Sequence, residues 1–255
     1  MRFAPRQRRR RWDFPFHGRD HSGRTRKSRG VSLFLTGTGT GVGKTFVAIE
    51  LLHWLRSRGI RAVGMKPICC GDREDARRLL AASAEGISIE ELNPVWLQSP
   101  VAPSVAAQIE QVEIDLGRIR GCFRNLSERF DTVIVEGVGG WLVPITADLF
   151  VSDFAKQLEL PVAIVANNQL GCLNHVLLTL ESVQRRGLVC AGVILTQANG
   201  PTDLAQRTNE NELRRLLTGI SLVVIGEETE PNLVEILAAT GQPDVLRKLT
   251  QSSKF

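Results

Sequence analysis

The sequence has no apolar run long enough to cross a membrane or to direct secretion. Hydrophobic residues make up 43% of its 255 residues, which is enough for a real core. They occur in short groups, and none approaches the ~20 consecutive apolar residues of a membrane span. No apolar segment suits a secretory signal either. We therefore expect no membrane partner.

Cysteine is scarce, and its spacing suits neither a metal site nor a disulfide framework. The five cysteines are an odd set without metal-type pairs, at positions Cys69, Cys70, Cys122, Cys172 and Cys190. Cys69 and Cys70 are adjacent, so in an extended chain they would point to opposite faces and are not expected to bridge each other. Reduced thiols in the cytoplasm are the natural interpretation.

Positive charge is concentrated in one segment of the chain. The pI of about 9.2 by itself suggests a nucleic-acid partner. Residues 1–30, however, hold ten arginines and one lysine against Asp13 and Asp20, a net charge of +9. Because the whole chain carries +5, the rest carries −4 and is mildly acidic. We therefore do not expect the body of the protein to bind nucleic acid.

The basic extension, residues 1–30, shows neither a helical nor a strand period, and we expect it to be disordered. Three interpretations remain open: a translation-start artefact or dispensable tail, a loose electrostatic arm, and an organelle-targeting peptide. The only methionine besides Met1 is Met65. A shorter product would therefore begin at a non-ATG codon such as that of Val31.

From residue 31 onward, short β-branched runs alternate with helical patterns. This alternation predicts an α/β fold, with a mostly parallel sheet, right-handed crossovers and helices on both faces. The predicted strands cover residues 31–36, 61–66, 131–136, 161–166, 190–196 and 221–225. The predicted helices cover residues 44–58, 73–84, 112–129, 149–158, 172–186, 204–218 and 231–239. Without internal repeats or a Pro- or Ser-rich linker, we expect one domain over 31–240 and a C-terminal tail at 241–255.

A glycine-rich segment follows the first predicted strand and opens the first helix. Residues 37–45 read Gly-Thr-Gly-Thr-Gly-Val-Gly-Lys-Thr. In a phosphate-binding loop, backbone N–H groups turn toward phosphate oxygens, while Lys44 would add positive charge and the Thr45 hydroxyl would hold Mg²⁺. The usual loop has its first glycine where Thr38 stands, so this loop is one residue longer. A dinucleotide fingerprint fails, because neither of the first two Gly-x-Gly pairs is followed by glycine three positions later. The segment predicts a P-loop NTPase-type domain that binds a nucleotide.

Polar residues follow other predicted strands at the edge where ligands bind to such sheets. Lys66, at the end of one strand, is a candidate second cation for the charge that builds up in phosphoryl transfer. Glu136, at the end of another, has the form of a Mg²⁺ ligand on a buried strand. With Thr45 it would share a mostly oxygen and water shell with one further acid. The candidates for that acid are Asp72, Glu74 and Asp75.

Together these motifs resemble the dethiobiotin synthetase family. The resemblance rests on the long phosphate loop, on Lys66-Pro67, on Val-Glu-Gly-Val-Gly-Gly-Trp at 135–141, and on Leu-Gly-Cys-Leu-Asn-His at 170–175. It implies a homodimer with shared active sites that closes the ureido ring of dethiobiotin from 7,8-diaminopelargonate, CO₂ and MgATP. In the family, CO₂ adds to one amine as a carbamate, ATP phosphorylates the carbamate, and the second amine displaces phosphate.

The resemblance also implies roles for the matching residues. Lys44 and Thr45 hold the phosphates and Mg²⁺, Thr40 reaches the transferred phosphoryl group, and Lys66 stabilises the carbamate and its mixed anhydride. The implied catalytic residues are thus Lys66, Lys44 and Thr40. The implied ATP-binding residues are Gly39, Thr40, Gly41, Val42, Gly43, Lys44, Thr45, Asp75, Glu136 and Thr196. The implied metal ligands are Thr45, Asp75 and Glu136.

The implied substrate-binding residues are Cys70, Gly139, Leu170, Gly171, Cys172, Leu173 and Asn174. Residues 170–174, offered by the partner subunit, hold the distal carboxylate of the substrate. A helix N-terminus with glycine and free backbone N–H groups suits an anion in any case.

The chain departs from the family pattern at three points. Cys70 stands where the family usually has serine, and a thiol is the weaker hydrogen-bond donor. Thr196 stands where a family asparagine reads adenine, and the loop 226–232 lacks the usual Ile-Pro. The alternatives are a switch-type ATPase of the same fold and a non-catalytic nucleotide binder. A switch ATPase would have an extra lysine before the glycines, which this chain lacks.

Overall fold

The structure is a computed structural model that describes residues 32–197, 203–226 and 236–237. The strands are β1 (Leu33–Gly37), β2 (Ala62–Met65), β3 (Ile68–Cys70), β4 (Val95–Leu97), β5 (Thr132–Gly140), β6 (Val162–Asn167), β7 (Cys190–Thr196) and β8 (Leu222–Ile225). The helices are α1 (Lys44–Ser57), α2 (Glu74–Ala82), α3 (Ile89–Leu92), α4 (Pro103–Glu110), α5 (Leu116–Arg129), α6 (Val151–Leu158), α7 (Cys172–Arg185) and α8 (Leu204–Leu216).

Six of these strands form one sheet in the order β2-β5-β1-β6-β7-β8. Every neighbouring pair in this sheet is parallel, and β3 and β4 make a separate two-stranded parallel sheet. The first strand is central, with Phe34 paired to Val135 on one side and to Val162 on the other. The predicted α/β fold with a mostly parallel sheet is confirmed.

Helices cover both faces of the large sheet. Along β1, Leu33 and Leu35 belong to a core that includes side chains of α1, α2 and α3, while Phe34 belongs to a second core that includes side chains of α5, α6, α7 and α8. Because both faces are buried, the inner strands read as continuous apolar runs rather than as alternating patterns. Because the strands of the large sheet are all parallel, their carboxyl ends meet at one edge, where the phosphate loop begins.

The prediction for residues 112–129 was wrong at its start. The helix α5 begins at Leu116, because Asp115 caps it by accepting a hydrogen bond from the Arg118 backbone N–H at 2.8 Å. The preceding helix α4 was missed, and it ends where Gln111 takes a left-handed φ of 54°. The other missed elements, α3, β3 and β4, have three or four residues each, too few to show a period.

Several predictions fall outside the described residues. They concern the extension 1–30, most of the loop 226–232, the tail 241–255 and most of the helix 231–239. Of that helix, only Ile236 and Leu237 are described, and both are helical and fully buried. The domain boundaries stay predictions. No helix in the described part of the chain is long and apolar enough to cross a membrane.

Candidate active site

The phosphate loop turns between β1 and α1 and depends on glycine at two positions. Gly43 has a left-handed φ of 89°, and a Cβ there would lie 2.9 Å from the methyl carbon of Thr196. A Cβ on Gly37 would lie 2.6 Å from the carbonyl oxygen of Gly39. Lys44 curls back over the loop and donates a hydrogen bond to that same oxygen at 2.9 Å. Residues 39–45 therefore form one compact turn, as expected of a phosphate-binding loop.

A cluster of charged and hydroxyl groups lies beside this loop, and we call it the Lys66 cluster. It consists of Lys66 just past β2, Asp75 in the first turn of α2, Glu136 in β5 and Thr45 in the first turn of α1. Lys66 Nζ lies 2.8 Å from Asp75 Oδ2 and also contacts Glu136 Oε1. The same Glu136 oxygen accepts a hydrogen bond from the Thr45 hydroxyl at 3.0 Å. Four residues singled out from the sequence thus meet in space.

The charges in the Lys66 cluster depend on one another. Burial by itself would lower the pKa of Lys66, but the carboxylates of Glu136 and Asp75 outweigh burial and hold its pKa above the ordinary value. Burial of Asp75 would raise the pKa of its carboxyl, but the Lys66 ammonium outweighs it and lowers that pKa. Lys66 and Asp75 are therefore both charged at neutral pH. For Lys44, burial is the largest influence and lowers the pKa to about 8.

The structure separates the three candidate acids that precede or open α2. Asp75 joins the Lys66 cluster, with its side chain 46% exposed. Asp72 instead accepts a hydrogen bond from the Glu74 backbone N–H at 3.0 Å, which stabilises the start of α2. Glu74 lies within 3.7 Å of Arg77 on the exposed side of α2. Of the three, Asp75 is the one placed to act with Lys66.

Thr40 and Gly139, which the resemblance assigns to ATP and to the substrate, lie close together. Thr40 is exposed, and its hydroxyl oxygen lies 3.6 Å from where a Cβ on Gly139 would stand.

Cys70 ends β3 and is half-buried, and burial raises the pKa of its thiol to about 11. The thiol is therefore protonated at neutral pH and is available only as a weak donor.

Thr196 lies beneath the phosphate loop at the end of β7. It is buried, and its hydroxyl lies 3.0 Å from the Val42 carbonyl oxygen and 3.3 Å from that of Ala166. A hydroxyl has one hydrogen to donate, and here two main-chain carbonyls are already in reach. The side chain expected from the sequence to face adenine thus bonds to the protein backbone.

The segment 170–174 lies at the same sheet edge but away from the Lys66 cluster. Leu170 is 83% exposed, Gly171 precedes α7 with a φ of 92°, Cys172 is buried, and Asn174 is exposed. This segment follows β6, whereas Lys66 follows β2, and β5 and β1 stand between them. Three strand spacings place the two strand ends about 14 Å apart. Within one chain, residues 170–174 and the Lys66 cluster therefore lie at different positions along the carboxyl edge of the sheet.

One buried polar side chain beside the cluster was missed in the sequence. Asn93 is 1% exposed and donates a hydrogen bond to the carbonyl oxygen of Lys66 at 2.8 Å. The only sequence signal was the Asn93-Pro94 dipeptide, which marks a turn and says nothing about distant partners.

The chain is similar in sequence to known proteins. A family model described as an AAA domain matches residues 31–239. The ATP-dependent dethiobiotin synthetase BioD of Akkermansia muciniphila is 43% identical over 180 residues, covering 71% of this chain and 84% of that protein. The protein of the same name from Aromatoleum aromaticum is 42% identical over 218 residues, covering 82% and 96%.

Solved structures resemble the chain more loosely. The septum site-determining protein from Pyrococcus horikoshii, complexed with Mg-ADP, has a TM-score of 0.45 and 15% identity, covering 88% of this chain and 96% of that one. A likeness at this level says nothing about what the chain does.

Proposed function

Because this chain belongs to the family of ATP-dependent dethiobiotin synthetases, we propose that the Lys66 cluster is where it closes the ureido ring of dethiobiotin. The chain is an ATP-dependent dethiobiotin synthetase, a ligase of biotin biosynthesis. The substrates of this proposal are 7,8-diaminopelargonate, CO₂ and ATP. The observation that carries it is the meeting of Lys66, Asp75, Glu136 and Thr45 beside the phosphate loop.

The chemistry assigns a distinct task to each cation. CO₂ adds to one amine of the substrate and a proton leaves, which gives a carbamate with a negative charge that Lys66 neutralises. A carbamate oxygen then attacks the terminal phosphorus of ATP, and ADP departs while Lys44 and Thr40 contact the transferred group. The second amine attacks the carbonyl carbon of the mixed anhydride and loses a proton, the bond from that carbon to the phosphate oxygen breaks, and phosphate leaves as the ring closes.

Mg²⁺ fits the oxygen atoms of this site. Glu136 Oε2 is buried and has no hydrogen-bond partner among the described residues. This carboxylate oxygen is therefore available to bind a cation. Asp75 and the Thr45 hydroxyl would complete the protein's share. No group of three or more His, Cys, Asp or Glu that could hold a metal occurs in the described ranges. The proposed ion would take its other ligands from water and phosphate. When bound, Mg²⁺ would neutralise charge on the phosphates.

A second subunit would supply the carboxylate site, so we propose a homodimer. Leu170, two residues before α7, and Leu178, in its second turn, are 83% and 57% exposed, and a partner subunit would cover such apolar side chains. A partner that covers them would bring its own residues 170–174 near the Lys66 cluster, which in one chain they do not adjoin. Leu173 is half-buried there, and Asn174 is exposed, so its amide could donate a hydrogen bond to the substrate carboxylate.

Mixing two inactive variants tests the shared site. Lys66→Ala and Asn174→Ala homodimers should both be poor, the second mainly through a raised KM for diaminopelargonate. After subunit exchange, a symmetric dimer places both lesions in one site and leaves the other wild type. With random exchange about half the dimers are mixed, so about a quarter of wild-type activity should return. No recovery despite exchange shown by native mass spectrometry would exclude the shared site.

Replacing Cys70 by serine should be tolerated and should raise kcat/KM, by up to about tenfold, because a hydroxyl donates a stronger hydrogen bond than a thiol. Steady-state kinetics with varied diaminopelargonate measures the change. Cys122→Ser, at a half-buried cysteine of α5, is the control and should change nothing. A loss of activity in Cys70→Ser alone would mean that the thiol has a role of its own.

Selection among nucleoside triphosphates should be weak. The Thr196 hydroxyl already lies within reach of main-chain carbonyls, so it offers fewer hydrogen bonds to a base than an asparagine would. In competition assays with ATP, GTP and CTP as phosphoryl donors, kcat/KM should differ by less than about a hundredfold. Selectivity for ATP above about a thousandfold would contradict this expectation.

The cysteines bear on where the enzyme works. All five are free, and burial raises the pKa of each thiol. A protein whose thiols are unpaired and protonated suits a reducing compartment. We therefore propose the cytoplasm.

A further inference from the structure

The main chain of Lys66 is held by a turn that lies outside the large sheet. Lys66 comes just after β2, which is an edge strand. Its backbone N–H donates to the carbonyl oxygen of Leu92 at 2.9 Å, and its own carbonyl oxygen accepts from the Asn93 side chain at 2.8 Å. Both main-chain groups of Lys66 are therefore fixed by the turn between α3 and β4.

The Asn93 side chain uses all of its donor capacity. Its Nδ2 also donates to the Val95 carbonyl oxygen at 2.9 Å, and its Oδ1 accepts from Arg73 Nε at 2.8 Å. Two carbonyl acceptors on one side and a guanidinium on the other allow only one orientation of the amide. Because the group is buried, losing one of these partners would leave an unsatisfied polar atom.

Arg73 ties this turn to the helix that carries Asp75. It immediately precedes α2, and Asp75 is the second residue of that helix. Besides contacting the side chain of Asn93, its Nη2 donates to the Asn93 backbone carbonyl oxygen at 2.8 Å, and its guanidinium lies 5.4 Å from the centre of the Trp96 ring. A planar fork that makes several bonds at once is what arginine provides and lysine cannot.

We propose that Arg73 and Asn93 are positioning residues for the reaction. They hold the main chain of Lys66 and the start of α2 at a fixed separation, so that the ammonium of Lys66 and the carboxylate of Asp75 meet at 2.8 Å. The inference rests on the proposed roles of Lys66 and Asp75. A shift of about 1 Å in such a group can cost about 10²-fold in rate.

Two substitutions remove the link without removing bulk. Arg73→Lys keeps the positive charge and loses the fork, and Asn93→Asp keeps the shape but sets carboxylate oxygens against the carbonyls of Lys66 and Val95. Each should lower kcat about 10-fold to 100-fold. Each should change the KM for ATP by less than it lowers kcat, because Asp75 is the only proposed partner of MgATP on α2 and the phosphate loop belongs to another element. Arg77→Lys, on the exposed side of the same helix, should match wild type.

A double substitution separates positioning from general loosening. If Arg73 acts through Asp75 and Lys66, then Arg73→Lys should cost less than about twofold in an Asp75→Asn background, measured in single turnovers. Independent multiplication of the two penalties would overturn the inference, and so would wild-type kcat in folded Arg73→Lys. If Asn93→Asp does not fold, Arg73→Lys alone carries the test. Wild-type activity of Asp75→Asn and Lys66→Ala would instead contradict the proposed roles of Asp75 and Lys66, and the inference that rests on those roles.

Discussion

Replacing Lys66 by alanine should lower kcat for dethiobiotin formation by about 10²–10³-fold or more. The ammonium is buried at 4% exposure, and the neighbouring carboxylates keep it charged. It is therefore a fixed positive charge at the place where the carbamate and its mixed anhydride would carry negative charge. Such a charge stabilises the transition state strongly because little water competes with it. Steady-state rates with all three substrates measure the effect.

The matched control for Lys66→Ala is Lys156→Ala, an exposed lysine on α6 that should behave as wild type. Removing Lys66 leaves two carboxylates, one of them fully buried, without their cation, so the variant should also melt at a lower temperature. Thermal melting scans with MgATP identify the temperature range in which the variant is folded. Turnover close to wild type in that range would refute the role of Lys66.

Replacing Lys44 by alanine should damage both nucleotide binding and rate. Lys44 is 6% exposed, and its ammonium donates a hydrogen bond to the Gly39 carbonyl oxygen in the loop where phosphates would bind. Hydrogen bonds to charged groups contribute about 1.5–3 kcal/mol, which corresponds to about 10-fold to 100-fold in Kd for ATP. The rate should fall by about 10²–10³-fold as well, because in the proposed reaction the same charge would contact the transferred group.

The two lysine variants should differ in ATP affinity. Calorimetry should find weak ATP binding to Lys44→Ala and nearly wild-type ATP binding to Lys66→Ala, because the proposed partner of Lys66 is the carbamate rather than the nucleotide. Equal ATP affinity in both variants would contradict this division of tasks, whatever their rates.

Local patterns in the sequence were enough for the phosphate loop and the large sheet. The glycines of residues 37–45 predict a turn there, and β2, β6, β7 and β8 are each followed directly by a polar or glycine residue. The rule that ligands gather at the carboxyl ends of parallel strands then brought Lys66 and Glu136 to the same edge. Their contact in the structure follows from the pairing of β2 with β5.

The side-chain contacts that could not be predicted from the sequence join residues that lie far apart along the chain. The different positions of Asp72 and Asp75 depend on the fold, which places Asp75 of α2 in contact with Lys66. The Thr196 hydroxyl faces Val42, 154 residues away along the chain, so an alignment by motif could not reveal that contact. Asn93 likewise has its partners 20 and 27 residues earlier. These bonds join short elements, which leave no periodic trace.

The most direct test of the proposed reaction is to supply the purified protein with MgATP, 7,8-diaminopelargonate and bicarbonate and to identify the products by mass. We expect dethiobiotin, with one ADP and one phosphate formed for each molecule of it. ATP consumption should also depend on both of the other substrates, because phosphoryl transfer requires the carbamate as acceptor. ATP hydrolysis that is the same without diaminopelargonate, or the absence of a product with the mass of dethiobiotin, would contradict it.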